Sequence, residues 1–280
     1  MKTWFVTGTS SGIGRCLAEE ALSRGDAVAA TARDPQTVRD LERQYPGRAL
    51  AVRLDVTKPE EVVYAIAETK KTFGRIDVLV NNAGRAMLGT LEDSPEDSAR
   101  DLFETNFFGM LSVIRHALPL LREQKSGLIV NISSLAGRSV FPTMGIYAAT
   151  KFAVEGMSEA LAKEMQGFGV RVIIVEPGAF ATDLGKNATV ARIGAPYAAL
   201  EEQIAWIMKE AKFSAPRDAA RTIIAAADAP DPPLRLAVGA DALAFIRQKL
   251  LADLAELESW ENVSRGASES RSAVQAVRQV

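Results

Sequence analysis

Thr7-Gly8-Thr9-Ser10-Ser11-Gly12-Ile13-Gly14 follows the apolar run Thr3 to Val6 and leads into the first helical pattern of the chain. Residues without side chains let a backbone approach a phosphate closely. The helix behind such a turn offers unpaired N–H groups and the positive end of its dipole. Three glycines at the first strand-to-helix crossover therefore point to a dinucleotide pyrophosphate cradled by Gly8, Ser10, Ser11, Gly12, Ile13 and Gly14. The spacing departs from G-x-G-x-x-G, since three residues separate the first pair of glycines. Glycine at such a turn also serves geometry alone, so the turn needs company before it carries a function.

Outward from the turn, short apolar runs alternate with amphipathic stretches. Strands are expected at Thr3–Val6, Ala27–Ala32, Ala49–Leu54, Val78–Asn81, Gly127–Ile132, Arg171–Val175 and Leu234–Val238. Several are apolar on consecutive residues, as suits strands covered on both faces. Val62, Ile66, Thr69 and Phe73 recur on one helical face, as do Ala153, Met157, Ala160 and Leu161. Asp34-Pro35 and Ser94-Pro95 place a capping oxygen before a first-turn proline, and Thr57 with Glu60 has the spacing of a capping box. The alternation predicts a doubly wound, mostly parallel α/β sheet of about seven strands with helices on both faces. Ligands of such a sheet bind at the carboxyl ends of its strands.

The 280 residues carry a formal net charge of −2, so neither nucleic acid nor an anionic membrane surface is an expected partner. Cys16 is the only cysteine, which excludes an internal disulfide. No carboxylate or histidine cluster has metal-ligand spacing, and no metal is expected. The opening MKTWFVTG enters a strand within a few residues and is a poor export signal, so a cytoplasmic location is expected. No apolar run is long enough to span a bilayer. A single catalytic domain is expected over 1–263, with 182–213 overhanging the binding edge as a substrate lid and a C-terminal helix at 241–261. From about Ser264 the composition turns to Ser, Ala and Arg, and a disordered tail is expected over 264–280.

Tyr147 and Lys151 lie four apart and share one face of a helix. A phenol has a reference pKa of ~10, and a nearby ammonium favours its ionised form. Alone, the pair reads first as an ordinary surface pair on a helix. Ser134 ends the fifth strand thirteen residues before Tyr147, where a hydroxyl can hold a substrate oxygen. Asn81-Asn82-Ala83-Gly84 ends the fourth strand on the same edge. Asn106 interrupts a helical stretch, either as one polar residue or as an amide that holds a water or a backbone carbonyl.

With these residues the chain resembles the short-chain dehydrogenase/reductase family from about Lys2 to Gly239. The resemblance rests on T-G-x-x-x-G-x-G at Thr7 to Gly14, N-N-A-G at Asn81 to Gly84, Asn106 and Ser134. Y-x-x-x-K at Tyr147 to Lys151 and P-G-x-x-x-T at Pro177 to Thr182 complete it. It implies a Rossmann-like fold and a catalytic tetrad of Asn106, Ser134, Tyr147 and Lys151. Ser134 would polarise a carbonyl, Tyr147 would pass the proton, Lys151 would lower the tyrosine pKa and bond the nicotinamide ribose, and Asn106 would position a water. Asn82, Ala83, Gly84, Pro177, Gly178 and Thr182 would line the cofactor, with Thr182 and the backbone near Ala179 on the carboxamide. Asp55 and Val56 would meet the adenine; Asp55 also reads as the cap of the following turn.

Cofactor choice turns on Ala30-Thr31-Ala32-Arg33-Asp34. An acid that would hold a ribose 2′-OH is missing at Ala32, and Arg33 suits a 2′-phosphate. Asp34 reads as the helix cap, and the basic residue that many NADP-using relatives carry in the glycine turn is Ser11 here. NADP(H) is the expected cofactor, with a carbonyl or secondary-alcohol substrate of apolar character. The resemblance implies a homodimer or homotetramer built partly from the helices holding Asn106 and Tyr147. A dinucleotide sensor without catalysis, an NAD-dependent alcohol dehydrogenase, and an isomerase or dehydratase are the rival readings. Phe141, Met144, Phe180, Tyr197 and Trp206 to Met208 line the substrate pocket or fill the core. His116 and Cys16 are read as structural.

Overall fold

A computed structural model of the chain describes residues 1–200, 202 and 213–266. Its main sheet contains β1 (Thr3–Val6), β2 (Ala27–Ala32), β3 (Ala49–Arg53) and β4 (Val78–Asn81), then β6 (Gly127–Ile132), β7 (Val170–Pro177) and β9 (Arg235–Val238). All seven run parallel in the order β3-β2-β1-β4-β6-β7-β9. The order reverses direction beside β1, and that switch point opens the crevice where an α/β sheet takes its ligand. The expected sheet is thus present, with each expected strand in place to within two residues at its ends.

Consecutive apolar residues in β1 feed two cores. Trp4 and Val6 pack on one face with Leu17, Ala18 and Leu22 of α1 (Gly12–Ser23). Ile223 and Ala227 of α8 (Pro216–Asp228) join them. Phe5 points to the other face, among Val62 and Ile66 of α3 (Pro59–Phe73), Val113 and Leu121 of α5 (Met110–Gln124), and Val154 and Leu161 of α6 (Gly145–Met165). A polar residue in so continuous a core must find partners. Trp4 Nε1 donates to Asp26 at 3.0 Å, and the amide of Lys2 donates to the other Asp26 oxygen at 2.8 Å.

Two short strands were not foreseen. Met87–Leu88 (β5) and Thr189–Val190 (β8) pair in parallel and tie the stretch after Thr182 to the segment that follows Gly84. Two of the expected caps are not formed. α3 starts after Lys58 without a side-chain cap, because Thr57 gives both its N–H and its hydroxyl to Asp55 Oδ1. α4 (Glu96–Phe103) starts after Pro95, since the Ser94 hydroxyl donates to the Thr90 carbonyl at 2.6 Å. Asp34 does cap, accepting from the Gln36 amide at 3.0 Å.

The remaining helices are α2 (Arg39–Gln44), α7 (Asp183–Lys186) and α9 (Ala240–Ser259). Helical backbone is present again at 261–266, beyond the expected tail boundary at Ser264. Part of the expected lid, 201 and 203–212, and most of the expected tail, 267–280, lie outside the described residues, and Trp206, Ile207 and Met208 with them. Among the described residues no helix is long and apolar enough to cross a membrane.

Candidate active site

The turn is built so tightly that side chains are excluded from its three glycine positions. Gly8 and Gly12 have φ of +71° and +60°, in the left-handed region that disfavours any residue with a Cβ. A Cβ on Gly14 would overlap the Asn82 amide and the Gly8 carbonyl, and one on Gly8 would come within 2.9 Å of Ala83. Asn82 is the strut: its Nδ2 donates to the carbonyls of Thr7 and Gly8 at 2.9 and 2.8 Å. Thr7 Oγ1 in turn accepts from the amides of Asn82 and Ala83 at 2.9 and 3.0 Å. The N-N-A-G stretch therefore shapes the turn from below. Replacing Gly14 with alanine is expected to cost ~1–3 kcal/mol through overpacking. Dinucleotide binding should fall with it; a variant with unaltered Tm and affinity in a fluorescence titration would contradict this picture.

No side chain caps α1, and the hydroxyls of Ser10 and Ser11 bond to no described residue. The helix thus presents open N–H groups to the crevice. Across from it, a Cβ at Gly12 would stand 3.3 Å from the Thr182 side chain. Thr182 begins α7 without using its hydroxyl as a cap. Ala179 donates to Asp241 at 2.7 Å, Ala181 to Ser214 and Thr182 to Phe180, while the Phe180 amide donates to no described residue. The amide of Ala179 itself is thus not open to a carboxamide, whereas the Phe180 amide beside it and the Thr182 hydroxyl are. Asp241 also stands where a Cβ on Gly178 would fall. It seals the end of β7 beyond Pro177, a role hidden in sequence because its partners lie some sixty residues away.

Arg33 leaves the end of β2 exposed, with no hydrogen bond or ion pair to any described residue. Asp55, after β3, holds Thr57 and is thus the cap its alternative reading gave, and its second oxygen remains open. Burial pushes this carboxyl up, but the Thr57 bonds and the positive charges of Arg33 and Lys58 outweigh it and hold it low. Val56 beside it is buried.

The four expected catalytic residues converge at the carboxyl edge of β4 and β6. Asn106 sits fully buried in a π-helical turn, Glu104–Gly109, between α4 and α5. Such turns hold one more residue than an α-turn and recur at functional sites. Asn106 clamps the backbone of Arg85, accepting from its amide at 2.8 Å and donating to its carbonyl at 3.0 Å. It also donates to Thr150 Oγ1 at 3.1 Å, and Thr150 bonds the Tyr147 carbonyl at 2.7 Å. Thr150 was overlooked although it stands inside Y-x-x-x-K. Asn131 was too; it accepts from Asn81 and donates to Ser158, both at 2.8 Å, fastening β4 to β6 and α6.

Tyr147 and Lys151 are each only 5% exposed. Lys151 Nζ donates to the Ile132 carbonyl at 2.9 Å and lies 5.7 Å from the Tyr147 ring centre. Burial pushes the Tyr147 phenol above its ordinary pKa, and the neighbouring Ser134 hydroxyl pulls the other way. Burial lowers Lys151 to about 8, opposed by the charge of Glu155 one turn further along α6. Glu155 is itself buried, ion-paired to Arg235, and adjoins the Arg138–Glu176 pair. Ser134 accepts from the Ala136 amide at 3.1 Å, which fixes the serine at the strand end.

Of the expected pocket residues, Met144 packs beside Tyr147 with Met87 and Ala188. Phe180 belongs to the main core, and Phe141 stacks edge-on to Phe245 of α9 at 5.2 Å. Tyr197 reaches out to Glu92. His116 is exposed and bonds the Ser112 carbonyl, and Cys16 is half-buried, facing the core from α1. No group of His, Cys, Asp and Glu among the described residues could hold a metal ion.

This arrangement has clear relatives. A family model described as short chain dehydrogenase matches residues 2–192. The oxidoreductase BOA17 of Botryotinia fuckeliana is 37% identical over 94% of this chain and 98% of its own. A short-chain dehydrogenase from Streptomyces avermitilis superimposes with a TM-score of 0.89 at 44% identity, over 95% of this chain and 98% of that one. One from Burkholderia cenocepacia, solved with NADP, has a TM-score of 0.74 at 29% identity over 92% and 98%. One from Burkholderia phymatum, solved with NAD, has 0.77 at 25% over 88% and 92%. The chain belongs to the short chain dehydrogenase family and is an oxidoreductase of that family. The glycine cradle and the open end of α1 fit the pyrophosphate of a nicotinamide dinucleotide.

Proposed function

We propose that this protein is an NADP(H)-dependent oxidoreductase that interconverts a carbonyl and a secondary alcohol, with Tyr147 as general acid and base. The observation that carries the reading is the convergence of Ser134, Tyr147 and Lys151 on one edge of the sheet, beside a cradle shaped for a dinucleotide. The bound nicotinamide supplies or accepts the hydride. Ser134 holds the substrate oxygen, Tyr147 gives it a proton, and the Lys151 ammonium favours the phenolate that remains. Asn106 holds the loop after Gly84 in place from its buried turn. Thr182, Asn82, Ala83, Gly84, Pro177 and Gly178 line the cofactor, and Asp55 and Val56 border its adenine end.

Arg33 supports the NADP(H) preference: it is free, cationic and stands where β2 ends in Ala32 rather than an acid. A carbonyl panel run with NADPH and NADH in parallel tests both parts, and preference for NADH would overturn the cofactor assignment. Met144, Met87 and Ala188 beside Tyr147 support an apolar substrate. Phe108 and Phe152, both exposed, support a homodimer or homotetramer built on the helices that carry the site.

The lysine gives this reading a pH signature. For reduction, kcat/KM should decline as pH rises through about 8, where Lys151 of the free enzyme sheds its proton. Lys151→Arg should flatten that limb, because a guanidinium stays charged. Stability moves the other way. Above about 8 the unfolded lysine keeps a proton that the folded one has lost, so unfolding free energy rises toward the ordinary lysine value. A profile flat from pH 7 to 10 would contradict the assignment.

A further inference from the structure

The C-terminal helix is anchored only by its first two turns. Ala242 and Ile246 are buried, and Phe245 meets Phe141, but every residue from Leu250 to Gly266 is exposed. The helical part of that stretch, Leu250 to Ser259, extends ~15 Å at 1.5 Å per residue. It is nonetheless not polar. Leu243, Leu250, Leu254 and Leu257 fall within about 60° of arc on a helix of 3.6 residues per turn. They are 52%, 49%, 51% and 66% exposed. Leu251 widens the stripe on one side. A helix without tertiary packing is marginal at this length, so a stripe of this kind needs a surface to cover it.

The charges select that surface. Between Leu250 and Gly266, Asp253, Glu256, Glu258 and Glu261 stand against Arg265 alone, which repels an anionic lipid surface. Arg247 and Glu258 lie on the flank occupied by Leu251, and neither side chain has a hydrogen bond or ion pair to a described residue. A helix with an unpaired cation toward its start and an unpaired anion toward its end, both beside one leucine stripe, complements itself head to tail. We propose that this face docks a second copy of the chain, the two C-terminal helices packing antiparallel through Leu250, Leu254 and Leu257. A register that lays Leu250 and Leu251 on the partner's Leu254 and Leu257 brings Arg247 within a turn of the partner's Glu258. Parallel packing would set the two Leu251 flanks on opposite sides of the interface and leave Arg247 and Glu258 without each other. Such a contact is isologous, each helix giving the same patch.

Sedimentation velocity on the full chain over a range of concentrations tests this. Leu254→Glu and Arg247→Glu should each lose one association step, halving the particle mass, with turnover unchanged. The double variant Arg247→Glu/Glu258→Arg should regain the wild-type mass. Association through any other face survives in these variants. A mass equal for wild type and Leu254→Glu at all concentrations would overturn the proposal, as would a double variant that behaves like Arg247→Glu. Hydrogen exchange over 250–261 should show protection that grows with concentration. Protection independent of concentration would mean that the chain's own residues beyond Gly266 cover the stripe; no protection at any concentration would leave it without a second copy. Either result also overturns the proposal.

Discussion

Tyr147→Phe is expected to reduce kcat for carbonyl reduction by about two to four orders of magnitude, the usual contribution of a positioned proton donor. The substitution removes one oxygen from a side chain that is almost fully buried, so packing is preserved and the loss is chemical. The partner left behind is the Ser134 hydroxyl, which still accepts from Ala136 and is only partly buried, and Tm should move little. The pyrophosphate cradle lies on the turn held by Asn82 and Thr7, whose hydrogen bonds do not involve Tyr147. NADPH affinity should therefore stay within several-fold of wild type. Equal turnover in the variant would remove Tyr147 from the reaction. Loss of cofactor binding together with activity would point to a folding defect rather than a missing proton.

Arg33→Ala has the second largest expected effect. A charge-assisted hydrogen bond is worth ~1.5–3 kcal/mol, and each 1.4 kcal/mol is about tenfold. Arg33 is exposed, so solvent screening puts the loss in kcat/KM for NADPH near the lower end, about tenfold, and it should shrink in high salt. NADH has no 2′-phosphate and should be used as before. Introducing Asp at Ala32 in the same variant should raise NADH use, since a carboxylate there meets the ribose hydroxyls. A matching loss for both cofactors would show that Arg33 supports the loop rather than the phosphate.

The sheet was legible because its strands are buried on both faces and therefore written as runs that are apolar on most consecutive residues. Ala27 to Ala32 and Gly127 to Ile132 need no partner information to be recognised. β5 and β8 left no such trace, for two residues cannot show a period and their pairing is main chain to main chain. The caps failed for a related reason. Thr57 and Ser94 have the right hydroxyls at the right spacing, yet each has a nearer acceptor, Asp55 and the Thr90 carbonyl. The site residues with fixed spacing, Tyr147 with Lys151 and the glycine turn, could be found locally. Asp241, Asn131 and Thr7 act through partners between 27 and 76 residues away, and which partner each takes is set by strand order.

The π-helical turn at Glu104–Gly109 makes this stretch unusually intolerant of a change in length. Because it holds one residue more than an α-helical turn, it sets the rotational phase between α4 and α5. Deleting a single residue there would let the chain run through as plain α-helix, and everything downstream would be rotated by about 100°. Met110, Val113, Ile114, Ala117 and Leu121 would then turn away from the sheet, or Leu102 would turn away from Tyr147. Surface connections on this protein can absorb an insertion or a deletion. This turn works as a phase lock, and a frame-preserving deletion within it should be as damaging as one in the middle of β1.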